Sequence, residues 1–101
     1  MPRLPRFHVY LLLSDRGELY TGYTGNLSRR LREHNSEGNE GWTRGRRWHL
    51  LAVRCFIDRH SARIVERSLK RSRYDKSNWV RRQRHRLREL CRRHGIEHAS
   101  G

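Results

Sequence analysis

Residues 7 to 21 constrain the fold more than any other stretch. They run from the apolar, β-prone segment FHVYLLL through turn chemistry at Ser14-Asp15-Arg16-Gly17 and back along Glu18 to Thr21. Two extended runs joined by a tight polar turn make a β-hairpin. Side chains alternate along a strand, so Val9, Leu11 and Leu13 share one face and His8, Tyr10 and Leu12 share the other. The second strand is expected to stop at Gly22. The sequence leaves the register between the two strands open.

After the hairpin, Thr24-Gly25-Asn26 reads as a loop ending in an N-cap, because an asparagine oxygen can accept from the free amides of the helix Leu27 to His34. Leu27 and Leu31, one turn apart, anchor that helix. Residues 35 to 47 (NSEGNEGWTRGRR) carry three glycines and no periodicity, which predicts an exposed, mobile loop. Trp48 to Ile57 is the third and most apolar strand and is expected in the middle of the sheet. A second helix follows from Ser61 as cap, with Ala62, Val65 and Leu69 at helical spacing. Beyond Tyr74-Asp75-Lys76-Ser77 a third, arginine-rich helix is expected over about 76–93, with Trp79, Val80, Leu87, Leu90 and Cys91 as its apolar stripe and His94-Gly95 as its end. The fold class is α+β: a small three-stranded, mostly antiparallel sheet flanked by helices in the order ββαβαα.

At 101 residues the chain is expected to be one domain with a thin core, too short for a catalytic module plus a separate specificity domain. Its net charge of +14 and pI near 11.5 attract polyanions whatever the fold, and nucleic acid is the expected partner. Arginine dominates over lysine and crowds the C-terminal third, as suits a phosphate fork. No apolar run approaches a membrane span and no signal-peptide pattern opens the chain, so no membrane role is expected. Two cysteines, Cys55 and Cys91, are too few for a disulfide framework and read as reduced, buried thiols of a cytoplasmic protein. Cys91, His94 and His98 have tolerable ligand spacing, but a structural zinc needs a fourth ligand, and zinc is set aside.

The chemistry-bearing residues each have an ordinary structural reading as well. Tyr10 and Tyr20 stand on neighbouring strands and fit a cross-strand aromatic pair. Gly22 leaves no side chain over the sheet, which would let a phosphate approach or simply end the strand. Arg30 and His34 share one helix face, a permanent cation beside a titratable imidazole, or part of a solvated basic face with Arg29 and Arg32. Glu66 is one of only ten acidic residues. It lies beside the apolar stripe of its helix and could pair with Lys70.

Taken together these residues resemble the GIY-YIG nucleases. The first motif reads Val9-Tyr10-Leu11, with HVY in place of GIY. The second reads Tyr20-Thr21-Gly22, with YTG in place of YIG. An arginine follows the second tyrosine by about ten residues and a glutamate comes from a later helix, and the resemblance covers a core of about residues 7–72. It is closest to the small, free-standing bacterial members. The resemblance implies Tyr10 as general base, Tyr20 as its hydrogen-bonding partner, Arg30 as phosphate clamp, His34 as proton acceptor or orienter, and Glu66 as ligand of one divalent cation. With one protein carboxylate, water and phosphate oxygens must complete the coordination, which suits Mg2+ or Mn2+. No small-molecule cofactor is implied.

The expected function is therefore a divalent-metal-dependent endonuclease acting on DNA with low sequence specificity. Arg29, Arg44, Arg46 and Arg47 near the site, with Gly22, and Arg81, Arg82, Arg84 and Arg88 on the last helix, are the expected nucleic-acid contacts. Abundant cationic charge is expected to favour the Tyr10 phenolate. Two rivals share the composition: a non-catalytic DNA- or RNA-binding module on the same scaffold, and a ribosome-associated basic protein. Protein partners are unknown from the sequence.

Overall fold

The computed structural model describes residues 6–97. Three strands, β1 (Phe7–Ser14), β2 (Leu19–Thr24) and β3 (Trp48–Phe56), form one antiparallel sheet in the order β2-β1-β3. The middle strand is thus β1, not β3. The apolar look of β3 comes from its first half, since Val53, Arg54 and Cys55 are exposed. Central β1 has six consecutive buried residues, Val9 to Ser14, as two-sided covering requires.

The hairpin turn is built by Ser14, fully buried, whose Oγ accepts from the amides of Arg16 and Glu18. The register pairs Tyr10 with Gly22 and Leu12 with Tyr20, so β2 continues past Gly22 to Thr24. A register shift opposite Leu11 and Leu12 leaves Leu51 as an extra residue on β3. This bulge lets Trp48 and Leu50 pack with Leu12 on one face while Leu51 and Ala52 both join the other.

Helix α1 (Leu27–His34) starts as expected, with Asn26 Oδ1 accepting from the Arg29 amide. Helix α2 (Arg59–Arg71) is capped by Asp58 rather than Ser61. The Asp58 carboxylate takes both the amide and the hydroxyl of Ser61, and the helix gains a turn that the Ser61 cap would forfeit. The arginine-rich segment divides at Gln83 into α3 (Arg73–Arg82), which already contains Tyr74 to Ser77, and α4 (Arg84–His94). Gly95 closes α4 in the left-handed region at φ 65°, where a side chain would be strained.

The sheet separates two clusters. Val9, Leu11, Leu13, Leu51, Ala52, Ala62, Leu69, Trp79, Leu87, Leu90 and Ile96 form the larger core beneath α2, α3 and α4. Tyr10, Leu12 and Trp48, with Tyr20, Leu27, Leu31 and Leu50 against them, form the smaller one beneath α1. Cys55 is exposed and Cys91 half-buried, so neither is the deeply buried thiol expected. Among the described residues no three metal-ligating side chains cluster; His98 of the zinc candidate lies outside them. No helix among them is long and apolar enough to cross a membrane.

Candidate active site

The smaller cluster brings the two tyrosines and His34 together. Tyr10 and Tyr20 sit on diagonal positions of the β1–β2 pair, facing the same side, with ring centroids 6.3 Å apart. His34, at the last turn of α1, lies edge-on to both, its centroid 5.7 Å from that of Tyr10 and 5.2 Å from that of Tyr20. Its Nε2 is 2.8 Å from the Tyr10 hydroxyl. Tyr10 is 1 % exposed and His34 4 %.

Gly22 explains how Tyr10 reaches that position. A Cβ at Gly22 would stand 2.6 Å from Tyr10 Cζ and closer still to its Oη, so the missing side chain is what lets the phenol lie across β2. The room beside Gly22 belongs to the tyrosine ring.

Burial pushes the Tyr10 phenol up to about 12. The negative charges that Tyr20 and Glu66 can carry add to this, and the Arg30 guanidinium opposes it without overcoming it. The expectation that surrounding arginines would favour the phenolate thus fails in the resting protein: desolvation outweighs them. Burial also holds His34 down at about 4, with the Arg30 charge adding to the effect, so at neutral pH the imidazole is uncharged.

Arg30 is half-exposed, and its Nη1 donates to Glu33 Oε2 at 2.9 Å. Glu66 projects from α2 with its side chain only 15 % exposed and its carboxylate 3.4 Å from Lys70 Nζ. Both readings of Glu66 therefore hold, as a Lys70 partner and as a carboxylate near Tyr10. Lys70 Nζ in turn lies 5.7 Å from the centre of the Tyr20 ring. One carboxylate with no second acidic ligand makes no metal cage. As a hard oxygen donor it fits a small divalent cation whose other ligands are water and phosphate.

The loop of residues 35–47 is tied down at many points rather than left free. Asn35 bonds the Trp48 main chain through both ends of its amide, at 3.1 and 2.7 Å. Trp48 Nε1 donates to Thr43 O at 2.8 Å, and Thr43 is buried beside His34. Trp42 stacks on Tyr20 with centroids 5.8 Å apart. Arg46 lies over Trp42 and pairs with Glu18 at 2.7 Å, which straps the loop to the hairpin turn. Arg46 is thereby engaged within the fold, whereas Arg44 and Arg47 are exposed. Nothing in the sequence pattern singles out Thr43, Asn39 or Lys70; the pair of tryptophans bracketing the loop is the available signal.

Arg29 is exposed and pairs with Glu33 at 3.4 Å. Arg81, Arg82, Arg84 and Arg88 are all exposed, but they belong to helices on the opposite face of the sheet from His34. Arg81, Arg84 and Arg88 border a groove of about 780 Å³ with Lys76, floored by Val80, Leu87 and Ile96. Lys76 and Lys70 are close enough that each disfavours the other's charge, and burial adds to the lowering at Lys76. A line of cations therefore runs from the tyrosine pocket around the β2 edge to that groove.

The profile of the family described as "GIY-YIG catalytic domain" matches residues 6–78. A UPF0213 protein of Haloquadratum walsbyi is 39% identical over 64 residues, 62% of this chain and 72% of that protein. One from Bacillus licheniformis is 35% identical over 94 residues, covering 90% of this chain and 89% of its own length. The solution NMR structure of a UPF0213 protein from Bacillus halodurans, 36% identical, aligns with a TM-score of 0.48 over 73% of this chain and 81% of that one. The matched span holds the tyrosine hairpin, α1 with His34 and α2 with Glu66, and the chain belongs to the GIY-YIG catalytic domain family.

Proposed function

We propose that the protein is an endonuclease that hydrolyses DNA phosphodiester bonds with the help of one divalent cation, Mg2+ or Mn2+. The observation that carries the proposal is the Tyr10 hydroxyl: buried, hydrogen-bonded to His34, and within the electrostatic reach of both Arg30 and Glu66. In the reaction Tyr10 takes a proton from water as the water oxygen bonds to phosphorus. The ester P–O bond breaks, and its electron pair leaves with the departing oxygen. Arg30 binds the non-bridging oxygens, its planar fork matched to two of them at once. Tyr20 borders the reacting phosphate, stacked in place by Trp42. A cation held by Glu66 and phosphate oxygens would neutralise charge gathering on the leaving oxygen.

Low sequence specificity follows from the contacts on offer: the exposed arginines and the Lys70–Lys76 line address phosphates, which carry no sequence information directly. One observation favours a second reading, a binding module that cuts nothing. Glu66 is already engaged by Lys70, and the resting phenol is far from ionised at neutral pH. The deciding experiment is cleavage of supercoiled plasmid and branched DNA by wild type and Glu66→Gln, with Mg2+, with Mn2+ and with EDTA, after both are shown to be folded. Metal-dependent cutting that disappears in the variant supports the nuclease. Salt-sensitive binding without any cutting would move the protein to the binding class.

A further inference from the structure

We infer that Thr43, held by Asn39, is a positioning residue that keeps the His34 proton on Nε2, so that His34 donates to Tyr10 rather than accepting from it. The tautomer stands on the hydrogen bonds alone. Its catalytic use rests on the nuclease reading above.

The Asn39 amide fixes the starting point. Its Nδ2 reaches His34 O at 2.9 Å and Thr43 Oγ1 at 2.8 Å, while its Oδ1 accepts from the Gly41 amide at 2.9 Å. A main-chain carbonyl only accepts and a main-chain amide only donates, so the amide can be oriented in one way. Thr43 Oγ1 therefore accepts from Asn39. That leaves the hydroxyl with one lone pair and one proton to place.

Its remaining partner is His34 Nδ1, at 2.7 Å. Were the imidazole proton on Nδ1, it would fill the second lone pair. The threonine hydroxyl proton would then have no acceptor among the described residues, in a side chain only 3 % exposed. A buried donor left unmet costs about 1–3 kcal/mol. With the hydroxyl donating to Nδ1, every group in the chain is satisfied. The neutral ring then carries its single proton on Nε2, 2.8 Å from Tyr10 Oη.

The direction of that bond changes what His34 does. As a donor it cannot relieve Tyr10 of a proton. It turns the phenol's own proton away from itself and, together with Arg30, holds the oxygen in the state that bears negative charge. His34 keeps its proton throughout turnover, and the proton drawn from water stops at Tyr10 Oη. Thr43 and Asn39 touch no reacting atom and act only through the ring.

Ring ¹⁵N NMR tests this without turnover. Long-range ¹H–¹⁵N correlation spectra at neutral pH, with His34→Gln to assign the signal, should show a protonated Nε2 and an unprotonated Nδ1 in wild type. Thr43→Ser should keep that pattern and Thr43→Val should lose it. A wild-type signal with the proton on Nδ1 overturns the inference, and this readout stands even should the valine variant not fold. An unchanged tautomer in folded Thr43→Val overturns it as well. In cleavage assays Thr43→Val should lower kcat about tenfold or more with little change in KM, and Thr43→Ser should restore it. A wild type that cuts nothing refutes the nuclease reading instead, and the ring spectra still decide the tautomer.

Discussion

Replacing Gly22 by alanine is the smallest change that reaches the heart of the site. The backbone there is not in the left-handed region, where only Gly17, Gly45 and Gly95 are found among the described residues, so alanine meets no conformational penalty of its own. The obstacle is the Tyr10 ring, whose Cζ would lie 2.6 Å from the new Cβ. Carbon atoms settle about 3.5–4.0 Å apart, so ring and methyl must separate by about 1 Å. Strand β1 is paired on both sides and cannot slide, which leaves the ring to swing and strain its 2.8 Å bond to His34. Overpacking of this kind costs about 1–3 kcal/mol, and an ångström of misplacement at a reacting group about 100-fold in rate. Urea unfolding should show the midpoint falling with the slope unchanged, alongside plasmid cleavage reduced to that degree. The decisive comparison is Gly22→Ala in a Tyr10→Leu background, which removes Cζ and Oη. There the alanine should cost nothing, or stabilise by about 0.4–1 kcal/mol through the unfolded chain. Equal destabilisation in both backgrounds would refute the claim that Gly22 exists to admit the tyrosine.

Stability should fall on both sides of neutrality. His34 sits at about 4, below its ordinary 6.5, so the fold favours its neutral form. That contribution is whole above 6.5 and disappears as pH drops from 6.5 toward 4. Tyr10, at about 12 against 10, contributes fully below 10 and less as pH rises through 12. Urea midpoints taken from about pH 8 down to about pH 4 should decline, and His34→Gln should flatten the decline; an unaltered slope would exclude His34 as its source. Trp48→Ala should destabilise by about 3–5 kcal/mol and unfasten the 35–47 loop, readable as faster amide exchange at Thr43. Arg81, Arg84 and Arg88 changed together to serine should weaken DNA binding and reduce the slope of log K against log salt by about 0.9 for every phosphate left without its arginine. A slope equal to that of wild type would remove α3 and α4 from the binding surface. Asp58→Ala should cost about 0.5–2 kcal/mol in thermal unfolding, more than Ser61→Ala, because Asp58 is the cap.

How much of this is legible in the sequence varies with how local the determinant is. The hairpin, the Asn26 cap and the Gly95 stop announce themselves within a few residues, because alternation, capping and left-handed glycine are short-range effects. The register of Tyr10 against Gly22 is not local: it depends on how Ser14 closes the turn. The central place of β1 is hidden because β3 is equally apolar at its start and exposes only its second half. Asp58 and Ser61 are both good caps, and only the fold shows one serving the other. Of the site, the tyrosines, His34 and Glu66 are visible as a spacing. Thr43 and Asn39 are not, because side-chain hydrogen bonds inside an irregular loop leave no periodic trace.

The strand order has a consequence in time as well as in space. Strand β1 meets β2 across a four-residue turn, and such hairpins close in about 1–10 μs. Its pairing with β3 must instead gather in α1 and the whole 35–47 loop, a closure that costs entropy before its own contacts can form. The early hairpin already sets Tyr10 and Tyr20 side by side, but Asn35 and Thr43 find their Trp48 partners only once β3 has docked. A chain caught halfway through folding therefore displays its motif without possessing its site, and whatever chemistry the pocket performs is switched on by the last strand to arrive.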